Sequence, residues 1–148
     1  MSDADPLGTL LRALGPASAG VEAVVERAPN RWAILLANGG ELTAEHDPAA
    51  GAIGLMLPVA VPALSDRLRV YEAALLYNGL WRETAGLRLA MAGESGTITV
   101  GLELPAAALD LPTLQDALTL LAGRAETWRE VIGAGHGSEH PPETRIHG

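Results

Sequence analysis

The sequence contains no cysteine, no lysine and no phenylalanine. Without cysteine the chain has no disulfides, no thiolate nucleophile and no cysteine-ligated zinc or iron–sulfur site, and it suits a reducing compartment. Without lysine it cannot form a phosphate-binding loop that places a lysine on a nucleotide. Aromatic residues make up 3% of a chain that is 48% hydrophobic, so its core must consist of leucine, valine, isoleucine and alanine.

Basic residues are also few, at 10 against 18 acidic ones, for a formal net charge of −8. A phosphate backbone would be repelled by this charge, which argues against nucleic acid as a partner. The acidic start, Met1 to Asp5, lacks the basic-then-apolar order of a signal peptide, and no apolar run approaches the length of a membrane span. We therefore expect a soluble, cytoplasmic protein that makes no contact with a membrane.

Two segments in the first half of the chain have apolar residues at helical spacing. The first predicts a helix over 6–14, capped by Asp5 and stopped by Gly15-Pro16. The second predicts an amphipathic helix that Ser65 caps and Asn78-Gly79 ends. One side of this second helix is expected to carry Leu68, Tyr71, Leu75 and Leu76.

The longest helical pattern begins near Asp110, which is a suitable N-cap. Its inward stripe is expected to contain Leu114, Leu118, Leu121, Ala125, Trp128 and Ile132. Beyond Ile132 the sequence is rich in glycine and proline and has no periodicity. We therefore expect residues 1–132 to form a single domain and residues 133–148 to form a disordered tail.

Alternating and β-branched residues predict strands between these helices. Two antiparallel strands are expected over 20–37 with a turn at Pro29-Asn30, and 41–45 continues the sheet before an apolar stretch at 53–61. A hairpin is expected over 86–104. The prediction is an α+β fold, in which an antiparallel sheet of about five strands accompanies three helices in the order α-β-β-β-α-β-β-α.

Two groups of ionisable residues are candidates for a catalytic site and a metal site. An acid–base cluster could be formed by Glu41, Glu45, His46 and Asp47. A metal could be held by His136, His140 and His147. Neighbours on a strand point to opposite faces, and the glycines and proline among the late histidines argue against a helix that would align them. The prediction is therefore no catalytic residue, no metal and no cofactor.

The second half of the chain resembles the class I chaperones of bacterial type III secretion, the Tir chaperone family. The resemblance lies in LLYNGLW at 75–81, GLRLA at 86–90, TITV at 97–100, LD at 109–110 and AETWREV at 125–131. The short leading leucine helix and the acidic balance are also similar. In all, the resemblance covers residues 5 to 132.

The resemblance implies a homodimer that binds the N-terminal segment of a secreted effector and keeps it extended, soluble and ready for secretion, without ATP. The secretion apparatus is a further implied partner. The implied dimer interface consists of Leu68, Tyr71, Leu75, Leu87 and Leu89. The implied client-binding residues are Leu10, Leu14, Trp32, Ile34 and Leu36. Two alternatives stay open, namely a dimeric adaptor or regulator of the same fold without an exported client, and a small enzyme of another type.

Overall fold

The helical and strand patterns of the sequence correspond to three α-helices and six β-strands within residues 5–139, the part of the chain that the computed structural model describes. The helices are α1 (Pro6–Ala17), α2 (Arg67–Gly79), preceded by a 3-10 turn at Leu64–Asp66, and α3 (Leu111–Glu139). The strands are β1 (Val21–Ala28), β2 (Arg31–Leu36), β3 (Glu41–Asp47), β4 (Ala52–Ala60), β5 (Arg88–Ala92) and β6 (Thr97–Pro105).

The strands form one antiparallel sheet in the order β1-β2-β3-β4-β6-β5. This confirms the predicted α+β class, with β4 as a strand beyond the order expected from the sequence. Tight turns set the register of the first four strands. The predicted turn at Pro29-Asn30 pairs Ala28 with Arg31, and Asn30 adopts the left-handed conformation, with φ of 65°, that asparagine tolerates.

The chain divides into two compact units, of which the first comprises residues 5–57 and 101–121. Its core is aliphatic apart from Trp32, which is 2% exposed. The largest fully buried side chains are those of Leu11, Leu14, Ile34, Leu42, Ile53, Leu55, Leu114 and Leu121. Gln115 joins distant parts of this unit, because its Nε2 donates to the Ala17 carbonyl at 3.1 Å and to Ser18 Oγ at 2.9 Å.

The second unit comprises residues 58–100 together with 122 to the end of α3. Its buried apolar residues are Val59, Val70, Leu87, Leu89, Ile98, Val100, Ala125, Trp128 and Ile132. Arg129 links α3 to β4 within this unit, since its Nε donates to the Val59 carbonyl at 3.2 Å. All six members of the predicted α3 stripe are buried.

Two predicted helix ends need correction. Asp5 caps α1 through a 3.0 Å bond from the Gly8 N–H, as expected, but the helix continues past Gly15-Pro16 to Ala17. Gly15 has no Cβ to clash with the proline ring, so the last turn accommodates it. For α2 the N-cap is Asp66 instead of Ser65, and no side chain caps it, because the 3-10 turn already supplies local hydrogen bonds.

The predicted end of the third helix lies within a longer helix, since α3 continues from Ile132 to Glu139. The remainder of the predicted tail, 140–148, lies outside the described residues. That residues 1–132 make a single domain remains a proposal. Over 5–139 no helix is long and apolar enough to cross a membrane.

Candidate partner-binding surface

Val70 is the single buried residue of helix α2, and all three leucines of the helix are exposed. Leu68 and Leu75, seven residues apart and hence on one helix face, are each 72% exposed, and Leu76 is 74% exposed. Exposed apolar residues also flank the helix on both sides. We call the whole set the α2 surface, which comprises Leu64, Leu68, Leu75, Leu76, Leu80 and Trp81.

An apolar group of this size is unusual on a free surface. Burying one leucine side chain contributes about 1.5–3 kcal/mol, so covering several of them supplies a large driving force for association. Contiguous exposed apolar patches commonly mark protein–protein contacts. Trp81 is shielded on one ring face by Arg82, whose guanidinium carbon lies 4.7 Å from the ring centroid. The α2 surface therefore has the chemistry of a contact surface for an apolar partner.

The residues implied for the dimer interface do not all reach this surface. Leu68 and Leu75 belong to it, and Tyr71 is half-buried. Leu87 and Leu89 instead lie in the core of the second unit, at 0% and 4% exposure. Sequence reasoning assigned no role to Leu64, Leu80 or Trp81, although the run Leu80-Trp81 after a helix end is itself an apolar signal.

The residues implied for client binding lie mainly in the core of the first unit. Leu14 and Ile34 have no exposed surface and Trp32 is 2% exposed, while Leu10 and Leu36 are half-buried. Trp32, Ile34 and Leu36 alternate along β2 and so share one face of the sheet. Within the described residues, the indole Nε1 of Trp32 is buried without a hydrogen-bond partner. Leu10 and Leu36 are thus the members of this set with surface available to a client.

In the candidate acid–base cluster on β3, both glutamates form solvent-exposed ion pairs. Glu41 lies 3.6 Å from Arg27, and Glu45 lies 3.2 Å from Arg31, with the side chains about half exposed in both pairs. His46 follows Glu45 on the strand and therefore points to the other face. Both glutamates of this cluster thus have arginine partners at the surface, whereas Asp47 Oδ1 accepts a hydrogen bond from the Ala50 N–H at 3.3 Å.

For the late histidines less can be stated. His140 and His147 lie outside the described residues, and the side chain of His136 is not described. Among the residues that are described, no three histidine, aspartate or glutamate side chains come together as a metal site would require.

Next to the α2 surface, Asn78 joins the end of α2 to β5. Its Nδ2 donates to the Leu89 carbonyl at 2.8 Å, and its Oδ1 accepts from the Leu89 N–H at 2.9 Å. A side-chain amide held by two bonds to the backbone N–H and C=O of one residue is fixed in orientation. A cleft of about 420 Å³ beside it is lined by Asn78, Trp81, Gly86 and Arg88. The pattern Asn-Gly after a helix, read from the sequence as a stop signal, thus also attaches the helix to the sheet.

The antiparallel sheet is accompanied by three helices, one of which carries an exposed apolar face suited to contact with another chain. The chain belongs to the Tir chaperone protein (CesT) family, whose model matches residues 48–129. This confirms the resemblance found in the sequence. The family is one of chaperones, not of enzymes. No curated protein matches the sequence significantly.

Solved structures share the fold at low sequence identity. The structure of the ExsC-ExsE complex matches with a TM-score of 0.71 and 16% identity, covering 87% of this chain and 97% of that one. The HopA1-SchA chaperone-effector complex matches with a TM-score of 0.65 and 23% identity, covering 83% and 92%. The Yersinia pestis type III secretion chaperone SycH, in complex with a fragment of YscM2, matches with a TM-score of 0.60 and 13% identity, covering 82% and 98%.

Proposed function

We propose that this protein is a type III secretion chaperone that binds the N-terminal segment of a secreted effector in the cytoplasm. The bound segment stays extended and soluble until secretion, and the process uses neither ATP nor catalysis. Membership of the Tir chaperone family carries this proposal. The likeness in fold to a chaperone-effector complex and to a type III secretion chaperone supports it.

We further propose that the protein acts as a homodimer joined through the α2 surface. Leu68 and Leu75 lie on the same face of α2 and on either side of its centre, so two antiparallel copies would place Leu68 of one against Leu75 of the other. Such a contact is self-complementary, which is what a two-fold interface requires. It would cover side chains that are now more than 70% exposed.

The client is proposed to bind on the outside of the dimer. Because Leu14, Trp32 and Ile34 are buried, the half-buried Leu10 and Leu36 are the proposed points of first contact. Leu14, Trp32 and Ile34 would pack beneath Leu10 and Leu36 and hold them in position. Surface acidity keeps the chaperone soluble while it carries an unfolded segment.

Co-purification tests the function. The full chain is co-expressed with each secreted protein encoded next to it, and complexes are isolated and weighed by light scattering. We expect one effector to form a stable complex with two chaperone chains, and deletion of the N-terminal segment of the effector to abolish the complex. Failure of every neighbouring candidate to bind, with the chaperone folded, would argue against export and in favour of an adaptor role.

A further inference from the structure

Glu72 lies among the exposed leucines of the α2 surface. It follows Leu68 by four residues and precedes Leu75 and Leu76 by three and four, so helical spacing makes these leucines its neighbours on one face. Like them, it is exposed, and it is the only acidic residue of α2. The apolar face of this helix therefore carries one carboxylate, near the middle of its length.

Glu72 forms no ion pair with another described residue. The arginine that helical spacing brings closest to it on α2 is Arg69, three residues earlier. Arg69 instead pairs with Asp66, with 3.8 Å between Nε and Oδ1. Asp66 is buried, at 7% exposure, so releasing Arg69 would remove the ion pair of a buried carboxylate. Arg69 therefore stays with Asp66, and the charge of Glu72 is not compensated.

A second copy of the chain brings a second Glu72. In the antiparallel pairing proposed above, Leu68 of one chain lies against Leu75 of the other, so the two-fold axis passes between residues 71 and 72. The two Glu72 residues then differ in height along the helices by about 1.5 Å, the rise of a single residue. The axis also places both of them on the same side of the contact. Two carboxylates thus lie opposite each other, and like charges repel.

We propose that Glu72 determines the partner selectivity of the α2 surface. It weakens the pairing of two identical chains, and it favours a chain of the same fold that carries an arginine or a lysine at the opposing position. The proposal rests on the proposed function, because it assumes that two chains meet through α2 in antiparallel orientation. The leucines stabilise the contact whichever of these chains is bound, whereas Glu72 distinguishes between them.

The affinity of the dimer tests the repulsion. The full chain and its Glu72→Gln variant are compared by sedimentation velocity over a dilution series. We expect Glu72→Gln to lower the Kd for dimerisation about tenfold, because it removes the repulsion and keeps the size of the side chain. Glu26→Gln removes the same charge from an exposed position on β1 and should leave the Kd unchanged. Equal effects of the two variants, or no effect of Glu72→Gln, would overturn the proposal.

Charge exchange tests the selectivity. Equal amounts of the parent and of Glu72→Arg are unfolded in urea and refolded together, and native mass spectrometry measures each kind of dimer. Either chain paired with itself has two like charges opposite each other, whereas the mixed dimer has a glutamate opposite an arginine. We expect mixed dimers to exceed the two identical kinds together by about tenfold or more. The same mixture made with Glu26→Arg should give random proportions. Random proportions with Glu72→Arg would refute the selectivity.

Arg69 provides the opposite outcome. If Arg69 left Asp66 and bound Glu72 of the second chain, Glu72 would strengthen the dimer instead of weakening it. A double-mutant cycle separates the two arrangements, since Arg69→Gln is made in the parent and in Glu72→Gln. With Arg69 held by Asp66, its replacement should change the Kd for dimerisation by the same factor in both. An effect confined to the parent would show that Arg69 pairs with Glu72 across the interface, and would overturn the proposal.

These measurements distinguish the role of Glu72 from the proposed function. A dimer whose affinity is the same in the parent and in Glu72→Gln would refute the role of Glu72 and leave the dimer intact. If the parent and Glu72→Gln were both monomeric, and the parent formed no dimer with Glu72→Arg, the dimer and this proposal would both be overturned. Co-purification with an effector tests the chaperone function by a separate readout.

Discussion

Tyr77 and Trp128 meet edge to face, with ring centroids 5.5 Å apart and ring planes at 82°. Within the second unit this contact joins α2 to α3. Edge-to-face pairs contribute about 0.5–1.5 kcal/mol beyond the burial of their surface. The Tyr77 hydroxyl, by contrast, is buried without a hydrogen-bond partner among the described residues, and its burial raises the pKa of Tyr77. The ring of this residue is therefore stabilising, and its hydroxyl is not.

Replacing Tyr77 by phenylalanine should leave the free energy of unfolding unchanged or raise it by up to about 1 kcal/mol, because an unsatisfied hydroxyl is removed. Tyr77→Ala, the comparison that removes the ring, should lower it by at least about 2 kcal/mol. Urea denaturation at pH 8 measures both. A phenylalanine variant clearly less stable than the parent would mean that the hydroxyl has a partner.

The same tyrosine predicts a loss of stability in alkali. The pKa of Tyr77 is higher in the folded state, so the unfolded chain releases the phenolic proton first. The free energy of unfolding therefore falls as pH rises above the ordinary pKa of 10.0. Repeating the denaturation at pH 11 should show the parent losing more stability than Tyr77→Phe does. Parallel losses in the two proteins would contradict the assignment.

Leu75→Asp should convert a dimer to a monomer, because the charge would be buried without a partner at the proposed interface. Leu75 is 72% exposed in one chain, so the substitution should not affect the fold of the monomer. Met56→Asp, at a residue that is 43% exposed in the first unit, is the matched control and should remain dimeric. Light scattering at micromolar concentration gives the mass. A parent protein of single-chain mass would exclude the dimer.

Gly96 and Gly93, both in the β5–β6 turn, form a second matched pair. Their φ angles are 81° and 67°, so alanine is strained at either position by about 1 kcal/mol. A Cβ at Gly96 would also lie 3.2 Å from the Tyr71 hydroxyl and 3.3 Å from the Arg67 guanidinium, whereas nothing lies within 4 Å of one at Gly93. Gly96→Ala should therefore lower the melting temperature more than Gly93→Ala. The reverse order would show that Arg67 and Tyr71 do not occupy this position.

The lowered pKa of Asp110 predicts that the stability of the protein decreases at acid pH. Hydrogen bonds from Thr113, including one from its backbone N–H at 2.9 Å, hold the pKa of this carboxyl below its ordinary value. Its contribution is therefore present above the unfolded pKa of about 3.9 and is lost as pH falls through the lower folded value. Asp110→Ala should lower the melting temperature at pH 7 and much less at pH 2. Asp110→Asn keeps a hydrogen-bond acceptor that does not titrate, so the contribution of this side chain to the melting temperature should be the same at pH 2 and pH 7.

Truncation after Ile132 tests the proposed domain boundary. Ile132 is the last buried residue of the predicted α3 stripe, and we expect the shortened chain to keep both its melting temperature and its mass in solution. A control truncated after Glu139 retains all of α3. If the shorter chain alone melts at a lower temperature, the helix between the two cuts packs against the protein.

Periodicity in the sequence predicted where helices and strands form better than which of their faces are covered. The α3 stripe from Leu114 to Ile132 was correct throughout, because its spacing excludes other structures and all its members are buried. The apolar side of α2 has equally regular spacing, yet Leu68 and Leu75 are exposed while Leu87 and Leu89 are buried. An apolar helix face has the same residue spacing whether it packs against its own chain or against another protein.

The Asn78 bonds to Leu89 could not be predicted either. They depend on the path of the turns between α2 and β5, which brings residues eleven positions apart into register. The proposed function came from the resemblance to a family, and neither composition nor periodicity would have indicated it. In the first unit, Trp32 and Ile34 were predicted as client contacts because the family uses that region. Their alternation on β2 shows that they share a face of the sheet, but it does not show how deeply they are buried.

The first unit is discontinuous in sequence, since residues 5–57 are completed by 101–121. During synthesis the ribosome therefore releases α1 and the first strands well before Leu114, Leu118 and Leu121, which belong to the same core, have been made. Contacts this distant in sequence form slowly. Until that segment is made, the apolar strands of the nascent chain lack part of the core that covers them in the folded protein.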